Sequence, residues 1–400
     1  MRSAAAPFES DDIVVLADEA WDSIWRQRHK LPRSWALAGN RVLWVEQAPF
    51  PGAWLGDAGR RRAAADAVPR RVPLPAGAAG ALWVGCLPPA MPFQERGGAL
   101  GRAVRALAMP AVRRRVRALV RGAGLAPRAL VLWQQPAYAA LLGELGEEFA
   151  LYATHDPYRY GRATGADLEL ERELCGRVRA VIATSEARAE ELRRWNPRTA
   201  RLGPAVDVDW WEARTRSEPT ALARIPRPRA LFVSALRPAV DFALLAETAR
   251  HAPGWSFILA GPRTGDAEVR RGLAAMPGNV HLPGRLAWEE SAAWMAGADA
   301  LLLPYRCLPE LGAVGLPHKF FEYCIAGAPI LATPFCEFDR EARGVLRVAA
   351  DAAGWAAQLE EILWSPDDDG RSRRQAIARA NSYGERLAEL RALLGEQGAG

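Results

Sequence analysis

Short apolar, β-branched or aromatic runs alternate with helix-like stretches almost from one end of this chain to the other, and few architectures tolerate that rhythm. The strand-like runs of the first half are 13–17, 42–46, 82–85, 130–134, 149–154 and 181–184. Those of the second half are 230–234, 256–260, 280–282, 300–304, 329–333 and 346–348. Helical patterns such as 166–175 and 242–251 fall between them. Strands that are apolar on both faces need cover on both sides, so the chain is expected to form α/β domains with parallel, doubly wound sheets. Right-handed crossovers then leave ligand crevices at the carboxyl ends of the strands. The alternation breaks once, between about 203 and 229, where G-P-A-V-D-V-D-W-W leads to I-P-R-P-R. Two domains are therefore expected: residues 1–205, a linker over 206–229, residues 230–370, and a C-terminal helix over 371–400 that packs back on the first domain.

Composition narrows the function. Half of the 400 residues are apolar and 24% are charged, enough to build sizeable cores. The formal charge of +6 is too mild for a nucleic-acid coat, and the basic residues are not interleaved with aromatics, so no nucleic-acid partner is expected. A phosphate-bearing small molecule suits it better. Arginine supplies nearly all the positive charge, because Lys30 and Lys319 are the only lysines. The five cysteines are widely spaced with no C-x-x-C pair, and the histidines show no metal-ligand spacing, so neither a disulfide framework nor a metal site is expected. No run approaches ~20 apolar residues and the first ten residues are too polar for a secretion signal, which points to a cytoplasmic protein.

The most informative run is 316–334, L-P-H-K-F-F-E-Y-C-I-A-G-A-P-I-L-A-T-P. Pro317 suits a helix start, Gly327 a helix end, and Pro329 blocks continuation before a buried strand. At ~100° per residue, Phe320, Phe321, Cys324 and Ile325 share one face, and Lys319, Glu322, Tyr323 and Ala326 the other. A cation in the first turn opposes the helix dipole. An anion bound across the helix start would compensate it, since unpaired amides there attract phosphate. Glu322 could then accept hydrogen bonds from a ribose diol. An i,i+3 Lys–Glu pair on a solvated face accounts for the same residues. The segment alone leaves both readings open.

P-x-K-x-F-E-Y-x-x-x-G-x-P-I-x-A-T resembles the donor-site signature of GT-B glycosyltransferases, close to family 4. In order along the chain, L-F-V-S-A-L-R-P-A-V-D-F-A-L-L (231–245), F-I-L-A-G-P (257–262), N-V-H-L-P-G (279–284) and A-D-A-L-L-L-P-Y (298–305) are similar to the strands and turns of its donor domain. W-x-x-x-W-R-Q-R-H-K-L (21–31) and G-N-R-V-L-W-V-E (39–46) resemble the entry of bacterial surface-polysaccharide members, of teichuronic-acid type. A-V-I-A-T-S (180–185) and P-A-V-D (204–207) resemble the T-S and N-G-V-D elements.

The resemblance implies two Rossmann-like domains with an interdomain cleft. A nucleotide-diphosphate sugar would be held by the second domain and a glycan or lipid-linked acceptor by the first. Arg237 and Lys319 would face the diphosphate, Ser234 would stand where the family has glycine, and Glu322 would bind the ribose. Val314, Gly315 and Pro262 would lie on the donor side, and His318 within reach of it. His155 matches a histidine of the cleft, with Asp156 beside it on the acceptor side. Reaction without a metal or other cofactor, and retention of configuration, are implied as well; with inversion, His155 or Asp156 becomes the candidate base. The family carries two glutamates eight apart; here Val314 stands at the first position, and Asp241 occupies the region of the phosphate loop's second cation.

Among the remaining candidates, Trp25 and Trp133 could stack on an acceptor sugar, although core filling is the commoner use of tryptophan. The run 102–121 is rich in arginine; Pro110 is expected to break it, and 111–121 could lie on an anionic membrane at the inner face of the cytoplasmic membrane. Two other functions stay open: an epimerase or hydrolase on the same scaffold, or a non-catalytic nucleotide-sugar binder.

Overall fold

A computed structural model describes residues 7–22, 27–47, 68–88, 91, 94–154, 164–214, 218–308, 316–336, 338, 340–365 and 368–395. It divides into two compact units, 1–203 with 383–400, and 204–382.

The first unit holds an eight-stranded sheet in the order β3-β4-β2-β1-β5-β6-β7-β8. Its strands are β1 (Asp12–Ala17), β2 (Arg41–Glu46), β3 (Arg70–Val72), β4 (Ala81–Cys86), β5 (Ala129–Trp133), β6 (Phe149–Thr154), β7 (Ala180–Ala183) and β8 (Thr199–Arg201). All pair in parallel except β3, an antiparallel edge on β4. The central strands are buried on both faces, as their apolar runs require. Strand order reverses between β1 and β5, whose last residues, Ala17 and Trp133, face each other in register.

The second unit holds a six-stranded, wholly parallel sheet in the order β11-β10-β9-β12-β13-β14. These are β9 (Arg229–Val233), β10 (Ser256–Ala260), β11 (Val280–Gly284), β12 (Ala300–Leu303), β13 (Ile330–Ala332) and β14 (Leu346–Val348). Counted from β9 this is the 3-2-1-4-5-6 order of dinucleotide-binding sheets, with its switch point at the carboxyl ends of β9 and β12.

Three expectations need correction. The segment 206–229 is not a free linker: helices Val208–Glu212 and Thr220–Ala223 form there, and Trp210, Trp211 and Leu222 pack into the second core. Asp207 caps the first of them through the Trp210 amide. The C-terminal stretch is two helices, Asp368–Ala380 and Tyr383–Gly395, because the Asn381 side chain donates to the Ile377 carbonyl at 2.8 Å and closes the first. Asp368–Ala380 belongs to the second unit, and only Tyr383–Gly395 rejoins the first, where Arg386 donates to the Gly203 carbonyl and Arg391 to that of Phe8. Finally, Pro110 does not break its helix, which runs from Gly98 to Gly122. Pro110 and Ala106 both lie on the exposed face, where water can serve the carbonyl that proline leaves without a donor.

Candidate functional site

The site grows from the carboxyl ends of β9 and β12. After β9, Ser234 donates its amide to the Ala260 carbonyl and Leu236 its amide to that of Pro262, which ties the loop to the end of β10. Gly261 makes this possible: a Cβ there would lie 1.8 Å from the Ser234 carbonyl oxygen. The loop turns at Arg237, whose carbonyl accepts from the Val240 amide. Asp241 then caps helix Phe242–His251 by accepting from the Leu244 amide at 2.9 Å. A helix cap, not a second cation, is what this position supplies.

The Arg237 side chain is exposed and makes no hydrogen bond or ion pair with another described residue. After β12, Tyr305 is buried, and its hydroxyl forms a hydrogen bond with that of Ser234. Burial raises the Tyr305 pKa above the usual range, so the phenol stays protonated at neutral pH; the nearby Arg237 and Glu322 charges pull in opposite directions. The Thr333 hydroxyl, donating to the Tyr305 carbonyl, fixes the turn from below.

Helix His318–Ala326 completes the constellation. Pro317 precedes it as N-cap and Gly327 ends it with φ 85°, a left-handed conformation that favours glycine. Its residues 320–326 are all buried, which overturns the two-faced helix read from periodicity: Tyr323 is 0% exposed. Tyr323 is turned inward because its hydroxyl accepts the Val233 amide at 3.0 Å, pinning the helix to the end of β9. Burial drives the Tyr323 pKa upward.

Glu322 is 2% exposed, and a buried carboxylate demands partners. Lys319 Nζ donates to Oε2 at 2.6 Å, and His318 Nε2 lies 3.1 Å from Oε1. The i,i+3 pair therefore forms, yet not on a solvated face. Glu322 is buried while Lys319 and His318 are half-buried, and the Glu322 charge is near enough to act on the Tyr305 phenol after β12.

The structure thus brings together Ser234, Arg237, Pro262, His318, Lys319 and Glu322, and adds Tyr305, Tyr323 and Thr333. Tyr305 could have been found from its place after a strand-like run, L-L-L-P-Y. His155, Asp156, Trp25, Val314 and Gly315 lie outside the described residues. Trp133 is 3% exposed, so as the last residue of β5 it fills the first core and offers no open stacking surface. Around it the first switch point is polar: Trp21 donates its amide to Glu46 at 2.7 Å, Arg28 pairs with Asp18, and His29 stacks on Trp44. No group of three or more potential metal ligands occurs among the described residues.

Residues 227–365 match the family model described as Glycosyl transferases group 1. A relative from Bacillus subtilis (strain 168), named as the putative teichuronic acid biosynthesis glycosyltransferase TuaH, is 32% identical over 103 residues, 26% of this chain and 25% of the relative. Among solved structures, the E. coli trehalose-6-phosphate protein bound with UDP-2-fluoro glucose gives a TM-score of 0.68 at 12% identity, over 97% of this chain and 99% of that one. Sucrose-phosphate synthase from Thermosynechococcus elongatus gives 0.65 at 17%, over 97% and 100%. Anabaena Alr3699/HepE, solved with UDP and glucose, gives 0.64 at 14%, over 97% and 100%.

Proposed function

Taking as premise a GT-B fold whose second unit matches the group 1 glycosyltransferases, we propose that this protein transfers a sugar, of hexosyl type, from a nucleotide-diphosphate donor to a hydroxyl of a glycan or lipid-linked acceptor. The observation that carries the proposal is the Arg237, His318–Lys319–Glu322 and Tyr305–Ser234 cluster at the switch point of the second sheet. In this reading the diphosphate lies against the start of helix His318–Ala326, Arg237 and Lys319 neutralise the charge that develops as it leaves, and Glu322 takes the ribose hydroxyls. Cations fixed in advance stabilise a departing anion without needing a metal ion. UDP, bound by the Anabaena protein, is the favoured leaving group.

Donor binding then adds to an existing contact. Lys319, held by Glu322, directs its remaining N–H groups to phosphate, while the ribose diol donates to further lone pairs of the carboxylate. The protonated Tyr305 holds the loop that presents Arg237 through its Ser234 bond. Retention of configuration, with the donor phosphate accepting the acceptor's proton, needs no side-chain base and suits this set. A role in surface-polysaccharide assembly is suggested by the TuaH similarity.

Turnover of a labelled UDP-sugar with wild type, Lys319→Ala and Arg237→Ala tests the reading. Each variant should lose about 10²–10³ in rate, the cost of removing one preorganised donor at a developing charge. Equal rates in all three proteins contradict it.

A further inference from the structure

Among the described elements, helix Gly98–Gly122 holds the most unequal charge distribution. It carries seven arginines and no acidic residue, while the formal charge of the whole chain is +6. The remainder of the protein therefore sums to about −1, and the positive field belongs to one helix. Local partners absorb only part of it. Arg113 and Arg117 share Glu144, while Arg105 and Arg115 donate to the backbone carbonyls of Arg96 and Cys86. The side chains of Arg102, Arg114 and Arg121 are exposed and make no hydrogen bond or ion pair with another described residue.

The face that carries Arg114 and Arg121 is apolar in its first half. Leu100, Leu107, Arg114 and Arg121 recur at intervals of seven and are all exposed, forming one line along the helix. Leu107 is 73% and Leu100 59% exposed. Two further exposed apolar side chains flank other parts of the helix: Met91, whose amide donates to Gln94, beside the Arg105 anchor, and Val68, preceding Pro69, which lies against Gly122. Among the described residues these four are all the exposed large hydrophobic side chains of the first unit. The opposite face, with Met109, Val112, Val116 and Leu119, is spent on the core.

We infer that this face docks on an anionic phospholipid bilayer, with Leu100 and Leu107 entering the headgroup boundary and Arg114 and Arg121 meeting the phosphates. A soluble polyanion would use the arginines and leave the leucines in water; a bilayer uses both. No helix among the described residues is long and apolar enough to cross a membrane, and a surface face of this kind has no need of one. The docking face extends well N-terminal of 111–121. Its use in reaching a lipid-linked acceptor rests on the function proposed above; its geometry does not.

Co-sedimentation of the full chain with phosphatidylcholine vesicles, with and without phosphatidylglycerol, tests the inference. Binding should require phosphatidylglycerol and weaken as salt is raised. The Arg114→Gln/Arg121→Gln pair should weaken binding by about thirtyfold. Leu100→Gln/Leu107→Gln should weaken it by at least tenfold, both pairs keeping the wild-type melting temperature and the stabilisation by UDP. No binding to phosphatidylglycerol vesicles, or binding that the leucine pair leaves unchanged, overturns the bilayer assignment. Loss of vesicle binding with intact UDP stabilisation separates this surface from the donor site; loss of UDP stabilisation with intact vesicle binding counts against the proposed function and leaves the surface standing.

Discussion

The proposed donor site combines side chains that the fold fixes with one that it leaves free. Glu322 is sunk in the second unit and satisfied by two residues of its own helix, so its position does not depend on a ligand. Arg237, by contrast, is exposed and available to an incoming anion. Tyr323 holds the two parts in register, because its hydroxyl is the acceptor for a strand-end amide. In Tyr323→Phe the Val233 N–H loses its partner inside the protein, at a cost of about 1–3 kcal/mol. Thermal unfolding should show a clear drop in melting temperature, and turnover should fall further than the lost stability explains, since the helix carrying Lys319 is released from β9. A variant that melts and turns over like wild type contradicts that anchoring role.

At the scale of elements, periodicity and length make twelve strands legible in the sequence, the central ones because a strand covered on both faces must be apolar throughout. β3 and β8 escape: both are three-residue edge strands, R-R-V and T-A-R, with fewer large apolar residues than the equally short edge strand β14, L-R-V. Helix His318–Ala326 is legible in its bounds and its charged pair, but not in its burial: the sequence pattern reads as two-faced, whereas residues 320–326 are all buried. The tail reads as one helix because its break depends on a single side-chain hydrogen bond of Asn381.

Local capping also sets a pH dependence. Asp167 is the N3 residue of a capping box with Thr164 on helix Gly165–Cys175, and its carboxylate also accepts the Gly97 amide and pairs with Arg96. Burial raises its pKa, but the bonds from Thr164, Gly97 and Arg96 outweigh that and bring it below the usual 3.8. The ionised form is the one the fold prefers, so its contribution is full above pH 3.8 and drains away as pH falls through the lower folded value. Denaturant unfolding should therefore show Asp167→Asn less stable than wild type at pH 7, with the gap narrowing below pH 3.8. A gap of constant width across that range contradicts the assignment.

Over the whole molecule, two sheets of the same winding divide the labour. The second presents a set of cations and one carboxylate at the point where its strand order reverses; the first carries the basic, leucine-studded helix on its surface. The relatives that share the fold at low identity fix its architecture, while what this chain binds is decided by its own side chains. Calorimetric titration of UDP and of uridine into wild type, Lys319→Ala and Glu322→Gln tests the donor-site assignment most directly. Lys319→Ala should bind UDP at least tenfold more weakly and uridine as wild type does, because only the phosphates meet the lysine, whereas Glu322→Gln should weaken both through the ribose. Wild-type UDP affinity in both variants, or no UDP binding by the wild-type protein, contradicts it.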